Sequence, residues 1–226
     1  MICYPNAKIN IGLKVLSKRT DGLHNISSFF HPIKLHDVLE VQIDNKLNCN
    51  KITYSGIKFP NVKHDLVIKA YNLLNNDFAL SPVRIHLHKN IPYGSGMGGG
   101  SSDATFMLIL LNKLFQLKLT NKCLFDYAKL LGSDCPFFLF NCFSHISSNG
   151  DVVKPLSINL KNYHIVIIKS HIFCSTAQVF SNVKLTRNTT PLFLDDSSWS
   201  FDLSHQINEL EPIAFSLYPH LKELKN

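Results

Sequence analysis

The chain has 226 residues, 45% of them hydrophobic and 17% charged, which excludes a mainly disordered protein and leaves enough apolar sequence for a core without disulfides. Six scattered cysteines without a Cys-x-x-Cys pair, and eleven histidines without a metal-spaced pair on an evident helix, exclude the common zinc motifs. The net charge of +7 is spread along the chain rather than clustered, so no nucleic-acid-binding surface is expected.

At the N-terminus no basic segment precedes an apolar one, so no secretory leader is expected. The longest apolar runs, at 107–111 and 165–168, fall far short of the ~20 residues that span a bilayer. A cytoplasmic protein without membrane association is the expectation, its cysteines free thiols in a reducing compartment. Ile9, Ile11, Leu13 and Val15 recur with a period of two and predict a half-buried strand, with Lys8, Asn10, Gly12 and Lys14 on its other face. Asp21-Gly22 marks a turn. Further strands are predicted at 38–43 and 51–54. Asp65 is placed to cap a helix reaching about Asn75. Val83, Ile85 and Leu87 alternate with Arg84, His86 and His88, a strand that Pro92 brings to an end. After a glycine-rich stretch, a helix from Ser101 gathers Ala104, Met107, Leu108 and Leu111 on one face. A second helix over 121–131 stops at Gly132. The polar stretch 141–150 is the candidate boundary between a domain over 1–148 and another over 149–226. Beyond it a strand at 164–169, a short helix from Ser175, a loop over 187–200 and a helical region toward Lys225 are predicted. The fold class is α+β with antiparallel strands.

The most informative segment is IPYGSGMGGGSSDATFMLILL. Pro92, Tyr93, Gly94, Ser95, Gly96, Met97, Gly98, Gly99, Gly100, Ser101 and Ser102 form a glycine-serine loop that runs straight into a helix. Glycine lets backbone approach an anion closely, and successive N–H groups form a cradle for it. The N–H groups that open the helix add partial positive charge. Ser101 and Ser102 can add hydroxyl donors, or oxygen ligands to a nucleotide-bound magnesium ion. Walker A is excluded, because no lysine follows the glycines. Gly-Ser-Gly-Met-Gly-Gly satisfies G-x-G-x-x-G, but helix follows helix where a dinucleotide fold needs a parallel strand. A flexible linker would be bordered by polar sequence, and this loop precedes a strongly apolar helix. Phosphate binding is the reading that remains.

IPYGSGMGGGSS resembles the second signature of the GHMP kinases, a proline, a glycine-rich stretch and paired serines. PNAKINIGLKVLSKRTDGLHN, LGSDCPFFL and the weaker STAQVF and NELEP are similar to the branch of that superfamily acting on 4-diphosphocytidyl-2-C-methylerythritol. The resemblance implies ATP as co-substrate, magnesium with it, and phosphorylation of the substrate's 2-hydroxyl in non-mevalonate isoprenoid synthesis. It implies two domains, the first like domain 2 of ribosomal protein S5, the second ferredoxin-like and cut short, with ATP between them. By the same resemblance Asp134 is the catalytic base and Lys8 stands beside it. Asn10, His24, Thr176 and Phe180 belong to the substrate side, with His24 on the cytosine edge and Phe180 stacked on the ring. Asp65 and Lys89 lie near the adenosine part of ATP. No carboxylate ligand for the metal is named by these motifs.

Three departures from the family pattern stand out. Leu23 replaces a usual tyrosine before His24. Asp65 replaces an asparagine, keeping the capping oxygen but losing the amide donors. The sequence ends at Asn226, soon after NELEP, and a third glycine-rich motif is not among its residues. The expectation is therefore a shortened second domain. The competing readings are a GHMP kinase acting on mevalonate, homoserine or a sugar, and a non-catalytic nucleotide-binding remnant. Asp-Gly-Leu-His and Gly-Ser-Asp-Cys-Pro argue against the former.

Overall fold

The computed structural model describes residues 1–58, 65–158, 160, 163–172, 174–185, 190–192 and 207–225. Along the chain these form β1 (Ile2–Cys3), β2 (Asn6–Lys18), β3 (His24–His36), β4 (Val38–Ile43), β5 (Lys51–Gly56), α1 (Leu66–Phe78), β6 (Val83–Lys89), α2 (Gly99–Leu114), α3 (Asn121–Leu131), α4 (Cys135–Phe140), β7 (Ser144–Ser147), β8 (Val152–Pro155), α5 (Thr176–Ser181), α6 (Glu211–Leu217) and α7 (His220–Lys225). The chain divides into two units. One comprises 1–8, 32–93 and 97–141, the other 9–31, 94–96 and 142–226.

In the first unit the sheet order is β1-β4-β6-β5, antiparallel except for the β5–β6 pair. Leu39 faces Leu87 and Val41 faces Ile85 across the β4–β6 ladder. Their period-two apolar pattern puts all four on one face, buried to 2% exposure or less. That face packs with the apolar stripes of α1, α2 and α3 into one core containing Val67, Ala70, Leu74, Ala104, Met107, Leu108, Leu111, Leu124 and Ala128. Asp65 caps α1, its side chain accepting from the Val67 N–H, as its position before the apolar run predicts. Thr120 caps α3 in the same way, and Gly132 closes it.

In the second unit the sheet order is β2-β3-β7-β8, and β3 pairs with β7 antiparallel, Ser28 opposite Ile146. Phe29, Phe143 and Leu192 form a small buried cluster. The Asn-Glu-Leu-Glu-Pro segment docks on β2: Leu13 donates to Ile207 O at 2.9 Å, Glu209 N–H donates to Leu13 O at 2.8 Å, and Val15 N–H donates to the Glu209 carboxylate at 2.8 Å.

The structure departs from the sequence expectations at several places among the described residues. α2 begins at Gly99 rather than Ser101, so the last glycines belong to its first turn. β3 lacks simple alternation because Ile26, Ser27, Ser28, Phe29 and Phe30 are all buried, which hides a strand from a period-two reading. Within 141–150, read as a polar connection, Ser144–Ser147 form β7. The strand expected at 164–169 does not form. Ile165, Val166, Ile167 and Ile168 are instead 46, 85, 42 and 69% exposed. High strand propensity yields a strand only with a hydrogen-bonded neighbour, and none of the described strands pairs with these residues. The expected loop at 187–200 lies almost wholly outside the described residues.

Candidate active site

Gly94, Gly96 and Gly98 all adopt left-handed backbone, with φ of +65°, +73° and +70°. Gly98 is also the N-cap of α2 and accepts the Ser102 N–H at 2.9 Å. The N–H groups of the first helical turn have no intrahelical partner by geometry, and here they belong to residues beside the loop. Ser102 is fully buried in that turn, and its Oγ has no hydrogen-bond partner.

Lys8 arrives beside this turn on β2. Its N–H donates to Met97 O at 3.0 Å. A Cβ at Gly98 would meet the Lys8 stem at 3.2 Å and the Phe138 ring at 3.0 Å, and the left-handed backbone there also favours glycine. The Lys8 ammonium lies 3.2 Å from Asp134 Oδ2. Asp134 occupies the N-cap position of α4 yet makes no side-chain capping bond. Its carboxylate is turned to the lysine instead, which separates it from an ordinary turn or cap residue.

Lys89 and Asp65 are placed differently. The Lys89 ammonium is buried against Asp37 and Asp103. Both Asp65 oxygens are engaged, one by the Val67 N–H at 2.6 Å and the other by the Tyr54 hydroxyl at 2.6 Å.

On the second unit, His24 stacks on Phe180 with ring centroids 5.4 Å apart and planes 29° apart. Burial, then the Lys18 charge, hold the His24 imidazole below its ordinary value. Thr176 is exposed at the first position of α5, after the cap Ser175. Asn10 donates to Ser28 Oγ at 3.2 Å, and the Ser28 hydroxyl donates to Gly12 O at 2.6 Å. Leu23 is half exposed beside His24. Among the described residues, no three His, Cys, Asp or Glu side chains gather as a metal site, and no helix is long and apolar enough to cross a membrane.

Comparison with known proteins bears on this geometry. The family profile for the GHMP kinases N terminal domain matches residues 65–142, which include the loop, α2 and Asp134. The 4-diphosphocytidyl-2-C-methyl-D-erythritol kinase of Azobacteroides pseudotrichonymphae is 40% identical over 228 residues, covering all of this chain and 84% of that protein. The chain belongs to this kinase family. The Bacteroides fragilis member is also 40% identical, over 237 residues and 83% of its length. A crystal structure of 4-(cytidine 5'-diphospho)-2C-methyl-D-erythritol kinase superposes with a TM-score of 0.74 at 29% identity, covering 99% of this chain and 81% of that one. The GHMP kinase fold expected from the motifs is therefore the fold observed.

Within this kinase, sequence reasoning passed over Asp37 and Asp103. Asp37 stands alone between two strands in His-Asp-Val, with no motif around it. Asp103 follows the paired serines directly, and its adjacency to them was the one available signal.

Proposed function

We propose that this chain transfers the γ-phosphoryl group of ATP to the 2-hydroxyl of 4-diphosphocytidyl-2-C-methyl-D-erythritol. The observation that carries the reading is the Lys8–Asp134 pair, 3.2 Å apart, with Lys8 hydrogen-bonded to the last turn of a left-handed glycine loop. Phosphoryl transfer asks little covalent chemistry of a protein and much positioning and charge compensation. Asp134 accepts the hydroxyl proton as that oxygen attacks phosphorus. Lys8, 3.2 Å from the carboxylate, offsets negative charge on the transferring group. Residues 92–102 cradle the phosphates with backbone N–H groups and the start of α2.

Magnesium would arrive on the nucleotide and screen the phosphate charge. Among the described residues of this turn, the Ser102 hydroxyl is an oxygen buried without a partner that would suit it. Asp65 and Lys89 stand at the adenosine end by resemblance. With both its oxygens engaged, Asp65 shapes that end rather than offering a donor. On the substrate side Phe180 offers its ring to cytosine, a neutral His24 can donate and accept at the base edge, and Thr176 and Asn10 add polar contacts. For the base to insert, the His24–Phe180 stack opens or is extended by it.

The test is ADP release from ATP by the purified chain, with and without the cytidine substrate. Substrate-dependent release that disappears in Asp134→Ala is the expected result. Folded, ATP-binding protein without turnover would defeat the proposal.

A further inference from the structure

Three ionisable side chains lie buried away from the Lys8–Asp134 pair: Asp37 at 0% exposure, Lys89 at 7% and Asp103 at 2%. Burying ionisable groups is costly unless hydrogen bonds compensate, so their contacts show what the cluster holds together. Asp37 lies between β3 and β4, and its own N–H donates to Pro5 O at 2.8 Å. Its Oδ1 accepts the N–H groups of Asn90 at 2.6 Å and Ile91 at 2.8 Å, the two residues that lead from β6 into the glycine loop. Its Oδ2 accepts from Lys89. The same ammonium donates to Asp103 Oδ2 at 2.6 Å, in the first turns of α2, where the loop ends. A Cβ at Gly99 would come within 2.9 Å of Ile91 Cγ2, so the first turn of α2 packs directly on the residues Asp37 holds.

We propose that Asp37 is a positioning residue for the phosphate loop, holding its beginning directly and its end through Lys89 and Asp103. The inference rests on the reading of residues 92–102 as the ATP site, and it gives Lys89 a role through the loop rather than by direct contact with nucleotide. The distribution of charge supports it. Asp103 Oδ1 is buried without a hydrogen-bond partner. Burial pushes the Asp103 carboxyl well above the usual carboxylate range against the pull of Lys89, and the Asp37 charge adds to the rise. Burial draws Lys89 down, but Asp103 and Asp37 outweigh it and keep the ammonium charged. The Lys89 ammonium thus bridges the two carboxyl groups, one on each side of the loop.

The experiment is calorimetric ATP binding to the wild type, Asp37→Asn and Asp103→Asn, each below its own unfolding temperature, alongside KM for both substrates. Asp37→Asn should weaken ATP binding and raise the KM for ATP on the order of tenfold or more, leaving the KM for the cytidine substrate unchanged. Asp103→Asn, which leaves the Asp37 bonds to Asn90 and Ile91 in place, should lose markedly less. Wild-type ATP affinity in folded Asp37→Asn overturns the proposal, as does an equal rise in both KM values. If Asp37→Asn does not fold, Asp37→Glu keeps the charge and shifts the acceptor. It should weaken ATP selectively, and unchanged affinity there is equally fatal. A wild-type chain that binds no ATP would instead remove the loop assignment, and this inference with it.

Discussion

Lys8 and Asp134, distant in sequence, meet as an ion pair in which the lysine side chain is 5% exposed and the aspartate side chain 29%. The buried partner is fixed by Met97 and the Gly98 backbone, while the more open carboxylate can still reach an incoming hydroxyl. Asp134→Asn should therefore lower kcat by about 10²–10⁴-fold, the usual contribution of a general base. ATP affinity should stay within a few-fold by the reading that the loop, not Asp134, binds phosphate. Steady-state kinetics beside direct ATP titration separates the two. Unchanged kcat would remove Asp134 from the reaction.

Gly98 and Gly96 share left-handed backbone but not surroundings. A Cβ at Gly98 meets Phe138 and Lys8 at 3.0 and 3.2 Å, whereas one at Gly96 meets nothing within 4 Å. Gly96→Ala should cost only the conformational strain, about 1–2 kcal/mol. Gly98→Val should add a clash that displaces Lys8, lowering both kcat and the unfolding temperature further. Thermal melts and turnover on the two variants check this, and equal effects would refute it.

Phe180→Ala should raise the KM for the cytidine substrate without altering that for ATP. Stacking of a base on an aromatic ring contributes about 1–3 kcal/mol, roughly 5- to 150-fold in affinity. Competition by cytidine diphosphate should weaken in parallel. If neither parameter moves, the His24–Phe180 stack is structural only.

Stability should fall as the solution is acidified. Burial lowers His31, and burial followed by the Lys154 charge lowers His145, relative to the ordinary value of 6.5. A depressed histidine favours the neutral form in the fold, so the unfolded chain takes up the proton first. The stabilisation is complete above about pH 6.5 and is lost as pH drops through the folded values. His145 also hydrogen-bonds Ser27 Oγ at 2.8 Å, and that hydroxyl accepts the Leu192 N–H at 2.9 Å. Denaturant titrations from pH 7.5 to 5.5 should show the decline, and His145→Gln should flatten it. A flat profile in the wild type would contradict the assignment.

The sequence by itself determined the local features. Asp65 and Thr120 cap helices because a short polar side chain precedes an apolar run. β4 and β6 follow from period-two alternation, and the helix that follows the glycine-serine loop follows from its apolar stripe. β3 escaped that reading because burial on both faces erases alternation, and 165–168 misled it because propensity does not supply a pairing neighbour. Apart from the family resemblance that placed Lys8 beside Asp134, only the tertiary structure decided which charged residues meet. Lys8 turned to Asp134, and Lys89 was drawn inward between Asp37 and Asp103. Such contacts depend on how strands and helices pack over long separations, and a buried charge is stable only where that packing brings a partner to it.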